Sequence, residues 1–119
     1  MSDCHPVLPE LVNCEQSSQS VKLNLFVPGN LHWFRGHFPG QPILPGVVQL
    51  DWATHFAAEY LSLCSSLVQQ VEVLKFQVVI VPDTHITLSL EQKSEEKFLF
   101  NYSSEKGTHA TGRVIMRRV

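Results

Sequence analysis

At 119 residues the chain is long enough to bury one core and too short for two, and 44% hydrophobic against 17% charged residues argues against intrinsic disorder. A formal charge of −2 gives no general footprint for nucleic acid or a membrane surface, and no apolar run approaches the ~20 residues of a membrane span. Residues 1–10, with Asp3, His5, Pro6 and Pro9, lack the basic and apolar blocks of a signal peptide, so cytoplasmic residence is expected.

Residues 1–20 are polar and read as a lead-in, with room for a short ordered piece, to a single domain spanning 1–119. Val21 to Val27 alternates, with Val21, Leu23, Leu25 and Val27 on one face, which predicts a half-buried strand closed by Pro28-Gly29-Asn30. Residues 37–46 hold three prolines, two glycines and one histidine, a composition that suits neither a helix nor a central strand. Pro45-Gly46 then opens a helix predicted to run to about Leu63. Its apolar residues (Val47, Val48, Leu50, Trp52, Ala53, Phe56, Ala57, Tyr60 and Leu61) cover most of the circumference, which predicts burial on nearly all sides. Asp51, His55, Glu59 and Ser62 form one narrow stripe, and a carboxylate at Asp51 on such a helix is an expensive placement.

Strands follow the helix. Val71 to Val81 is strand-rich and ends at Pro82-Asp83; His85 to Glu91 alternates; Phe98 to Tyr102 follows the turn Ser94-Glu95-Glu96. Glu105-Lys106-Gly107 is a hairpin connection to a last strand, Thr108 to Arg118, with Ala110, Val114 and Met116 on one face. One helix followed by a meander of four antiparallel strands, with an earlier strand added, predicts the α+β class: a curved antiparallel sheet wrapped around one central α-helix. Cys4, Cys14 and Cys64 show no CxxC spacing and read as free thiols, and no Cys or His pair stands at finger spacing, so no structural metal is expected.

Three residues around the helix start carry chemistry. An isolated loop histidine is ordinarily a satisfied structural group, but His37 sits between Gly36 and a proline-fixed loop, and a reference pKa of ~6.5 suits it to act as base and acid near neutrality. Asp51 reads equally as a partly exposed helix carboxylate or as a partner for His55 one turn later; as metal ligands these two are too few. Gly46 either only permits the loop-to-helix junction or also exposes first-turn N–H groups, at the positive end of the helix dipole, to a polarised carbonyl.

The run His37-Phe38-Pro39-Gly40-Gln41-Pro42-Ile43-Leu44-Pro45-Gly46-Val47, with Asp51 fourteen residues after the histidine, resembles the active-site segment of hot-dog-fold dehydratases acting on 3-hydroxyacyl thioesters of acyl carrier protein. Trp33-Phe34-Arg35-Gly36-His37 and Gln49-Leu50-Asp51-Trp52-Ala53 are most similar to the small branch associated with aryl-polyene synthesis, the ApeI-like dehydratases. The likeness continues more loosely to the final strands, over about residues 20–118. It implies His37 as catalytic base, Asp51 as the acidic helix residue, the Gly46 amide on the thioester carbonyl, and Phe38, Ile43 and Val47 as walls of the acyl tunnel. It also implies no metal or organic cofactor, the phosphopantetheine arm belonging to the carrier-bound substrate. The implied partners are acyl carrier protein and a second hot-dog subunit, in a homodimer or in a heterodimer with a related dehydratase subunit. In such dimers the sheets join edge to edge, and the histidine of one subunit meets the acid of the other.

The sequence departs from the family in places. Asp51 stands where the fatty-acid branch usually has Glu, and His55 replaces a common glutamine, which bears on isomerase activity and chain length more than on dehydration. Arg35 and Arg117-Arg118 offer a basic surface for an acidic carrier or are plain solvated charges. A hot-dog thioesterase, or a non-catalytic acyl-binding subunit, remains an alternative.

Overall fold

The computed structural model describes residues 7–34 and 42–118. In chain order these form β1 (Glu10–Gln16), β2 (Ser20–Val27), a short 3-10 turn (His32–Phe34), α1 (Gly46–Tyr60), β3 (Val68–Phe76), β4 (Thr84–Ser94), β5 (Lys97–Ser104) and β6 (Gly107–Met116). The six strands make one antiparallel sheet in the order β1-β2-β4-β5-β6-β3. This is the expected hot-dog arrangement, with two differences in detail.

The first is β1, which occupies part of the polar lead-in. It pairs with β2, and a register shift between Leu11 and Asn13 breaks the alternation that would have marked it as a strand. The second is β3. Only β4, β5 and β6 form a meander; the segment after the helix carries β3 to the far edge, where it pairs with β6 rather than β4. β3 covers Val68–Phe76 rather than Val71 to Val81. It is an irregular edge strand, with a register shift between Glu72 and Lys75 and with Val73 at φ +50, a left-handed conformation that is costly for a β-branched residue.

Alternation places Val21, Leu23, Leu25 and Val27 of β2, Ile86, Leu88 and Leu90 of β4, Phe98, Phe100 and Tyr102 of β5, and Ala110, Val114 and Met116 of β6 in one core against the helix. The helix contributes Val48, Gln49, Trp52, Ala53, Phe56 and Ala57 from a single face. Burial on nearly all sides is therefore corrected: Val47 is 73% exposed, and Asp51, His55, Ala58 and Glu59 also face outward. Two buried aromatics satisfy their polar tips on backbone, Trp52 Nε1 donating to the Val7 carbonyl at 2.9 Å and the Tyr102 hydroxyl to the Gln49 carbonyl at 2.6 Å.

The helix stops at Tyr60, short of Leu63, although no Gly or Pro stands there. Gln92 of β4 ends it, its Oε1 accepting from Ser62 N at 2.9 Å and its Nε2 donating to Ser62 O at 2.8 Å, which holds the chain extended past Leu61. No helix among the described residues is long and apolar enough to cross a membrane.

Candidate active site

The chain enters α1 through Leu44 and Pro45. Leu44 N donates to the Ile80 carbonyl at 2.8 Å, and Val48 N and Gln49 N both turn back to the Pro45 carbonyl at 3.1 and 3.2 Å. Among the described residues this leaves the Gly46 and Val47 amides without an acceptor, at the positive end of a 15-residue helix. Packing is tight at Gly46. A Cβ built there would lie 2.7 Å from Cζ of Phe76, whose ring rests on the helix start from the end of β3. Phe76 is 50% exposed and belongs to the site although sequence reasoning gave it no role; a half-exposed aromatic on an edge strand gives no signal before the strand order is known.

Asp51 lies one turn beyond Val47 on the same outward face, the exposed helix carboxylate that is one of its two readings from sequence. It is not joined to His55, which faces Glu59 at 3.6 Å across an exposed pair. The Asp51 charge still reaches the core beneath the helix. Burial holds the Tyr102 phenol well above its ordinary pKa of 10.0, and Asp51 adds a smaller push in the same direction.

Of the expected tunnel walls, Ile43 is half-buried and Val47 exposed, while His37 and Phe38 fall outside the described residues. A groove of about 890 Å³ crosses the outer face of the sheet, lined by residues such as Lys22, Ser89, Asn101 and Arg113, and contains none of Ile43, Gly46, Val47 or Asp51. Arg35 also falls outside the described residues. Arg117 and Arg118 lie at the far end of the helix, whose fifteen residues span roughly 22 Å, and Arg118 is engaged by Glu95 and Glu96 at 3.2 and 2.9 Å. That pair therefore does not sit beside the helix start. Cys14 and Cys64 are free thiols.

Two further residues hold backbone through polar contacts. Asp83, at φ +60, donates its N–H to the Val27 carbonyl at 2.6 Å and accepts from Gly29 N at 3.0 Å, fixing the chain where it leaves β2. Gln49 is buried beneath the helix start, with Nε2 donating to the Leu44 carbonyl at 3.2 Å and Oε1 without a partner among the described residues. Such an orphan acceptor costs about 1–3 kcal/mol.

The profile of the ApeI-like family, described as ApeI dehydratase, matches residues 13–113. The chain is similar to a chain of the dehydratase heterocomplex ApeI:P from Xenorhabdus doucetiae, at 30% identity over 92% of this chain and 98% of that one, with a TM-score of 0.82. It is also similar to an uncharacterized protein from Erwinia carotovora subsp. atroseptica, at 32% identity over 94% and 98% of the two chains and a TM-score of 0.78. The dehydratase domain of the polyketide PpsC from Mycobacterium tuberculosis, 19% identical, shares the fold at a TM-score of 0.71; 98% of this chain covers 46% of that one. No curated protein sequence matches significantly. With a family profile running from β1 into β6 and the sheet and helix of a dehydratase, the chain belongs to the ApeI-like dehydratase family.

Proposed function

We propose that this dehydratase removes water from a 3-hydroxyacyl thioester carried on acyl carrier protein, giving the trans-2-enoyl thioester in fatty-acid or aryl-polyene type synthesis. The observation that carries the reading is the helix start: amides at Gly46 and Val47 with no acceptor among the described residues, and a carboxylate at Asp51 one turn further along the same face. The Gly46 amide stabilises charge on the thioester oxygen while His37, placed by the family resemblance, removes the α-proton. Asp51 protonates the departing β-hydroxyl, directly or through one water. An acid or base of this kind contributes ~10²–10⁴-fold and an oxyanion donor ~10²–10³-fold. No cofactor enters beyond the carrier's own phosphopantetheine arm.

The site is completed by a second hot-dog chain, a copy of this one or a related subunit. Support comes from the outward-facing Val47 and Asp51, and from β3, an edge strand with Val73, Leu74 and Phe76 exposed. The similar chain from Xenorhabdus doucetiae belongs to a heterocomplex.

The test follows formation of the conjugated enoyl thioester from carrier-bound 3-hydroxyacyl substrates of graded length, with this chain alone and with a second hot-dog subunit. Asp51→Asn should lower turnover by ~10²–10⁴-fold and leave thermal stability unchanged, because the side chain is exposed. Undiminished dehydration by His37→Ala sinks the mechanism, and release of a free thiol instead of an enoyl product marks a thioesterase. Mixing Asp51→Asn with His37→Ala protein should restore partial activity; no recovery removes support for a shared site between copies.

A further inference from the structure

Leu44, two residues before Gly46, is gripped on three sides. Its N–H goes to Ile80 O at 2.8 Å, its carbonyl takes Gln49 Nε2 at 3.2 Å, and its side chain is buried. Gln49 is the one buried polar side chain on the helix, and its own carbonyl receives the Tyr102 hydroxyl. We propose that Gln49 is a positioning residue for the reaction: by holding the Leu44 carbonyl from beneath the helix, it aims the Gly46 and Val47 amides at the substrate oxygen. The inference rests on the reading of this helix start as the oxyanion site.

Three observations carry it. Gln49 stands two residues, about 200°, from Asp51, so it faces the sheet and acts through the backbone rather than on substrate. The orientation of its amide is unambiguous, because only the NH₂ end can face a carbonyl. Its Oε1 is buried with no partner among the described residues, so stability alone would favour an apolar residue of the same length. The bond that its Nε2 makes goes to the segment that sets the direction of the first helical turn.

Gln49→Met keeps the length and removes the amide. The expected result is a melting temperature equal to or above wild type, KM nearly unchanged, and kcat lowered roughly tenfold to a hundredfold, as for a small misplacement of a catalytic group. Amide hydrogen exchange at Leu44 and Val48, whose N–H groups are bonded to Ile80 O and Pro45 O, should quicken. Gln49→Leu provides the same test should the methionine variant fold poorly. A variant with wild-type kcat and wild-type exchange overturns the proposal, as does one whose only change is a lower melting temperature. Wild-type protein that forms no enoyl product would instead refute the dehydratase reading, while the exchange measurement still shows whether Gln49 holds the helix start.

Discussion

Replacing Gly46 by alanine sets two effects of similar size against each other. The new Cβ would stand 2.7 Å from Cζ and 3.1 Å from Cε1 and Cε2 of Phe76, where carbon atoms ordinarily rest ~3.5–4.0 Å apart. The ring must retreat by about 1 Å. Overpacking of this kind costs roughly 1–3 kcal/mol, and the lower half of that range applies because Phe76 is 50% exposed and free to swing outward. Alanine returns at most ~1 kcal/mol of helix propensity. The net change in stability should therefore be small, within about 1 kcal/mol, or roughly 4 °C for a chain of this length. The informative measurement is the cycle with Phe76→Ala. In that background Gly46→Ala should stabilise by ~0.5–1 kcal/mol, a coupling of about 1–2 kcal/mol. Thermal unfolding of all four proteins at one protein concentration reads it. A Gly46→Ala effect equal in both backgrounds, within ~0.3 kcal/mol, refutes the claim that the Phe76 ring crowds this position.

Tyr102→Phe should cost ~0.5–1.5 kcal/mol by losing the bond to the Gln49 carbonyl. It should also flatten alkaline destabilisation: below pH 10 the phenol is protonated in both states, and above it the unfolded chain ionises first, so stability falls as pH rises toward the raised folded pKa, by up to ~1.4 kcal/mol per pH unit. Urea unfolding from pH 8 to 11 should show a shallower decline for the variant. Gly107 has φ +112 with nothing within 4 Å of its Cβ direction, so Gly107→Ala should cost ~1–3 kcal/mol through backbone conformation alone and leave turnover untouched; an unchanged melting temperature would contradict that. At Asp83, asparagine keeps the acceptor for Gly29 and tolerates the left-handed backbone, whereas Asp83→Ala should lose ~1–3 kcal/mol; equal melting temperatures for the two variants would remove the role given to the carboxylate.

The sequence by itself determined β2, β4, β5 and β6, because each has one face on the core and a period-2 alternation follows from that. It also marked the helix start, since Pro45-Gly46 is a local signal, and Gly107 in its hairpin. The family was legible for a different reason: the 37–51 segment is a long string of chemically constrained residues. What only tertiary structure decided has no local signature. The placement of β3 beside β6 depends on where the post-helix segment crosses. The end of α1 at Tyr60 depends on Gln92, thirty residues beyond Ser62 in sequence. The apolar circumference of α1 misled because an exposed Val47 and a buried Val48 look alike in sequence; burial depends on the surrounding layers, and here the sheet covers one face. For the same reason Asp51 is an outward-facing carboxylate, while Gln49, two residues away, lies buried beneath the helix start.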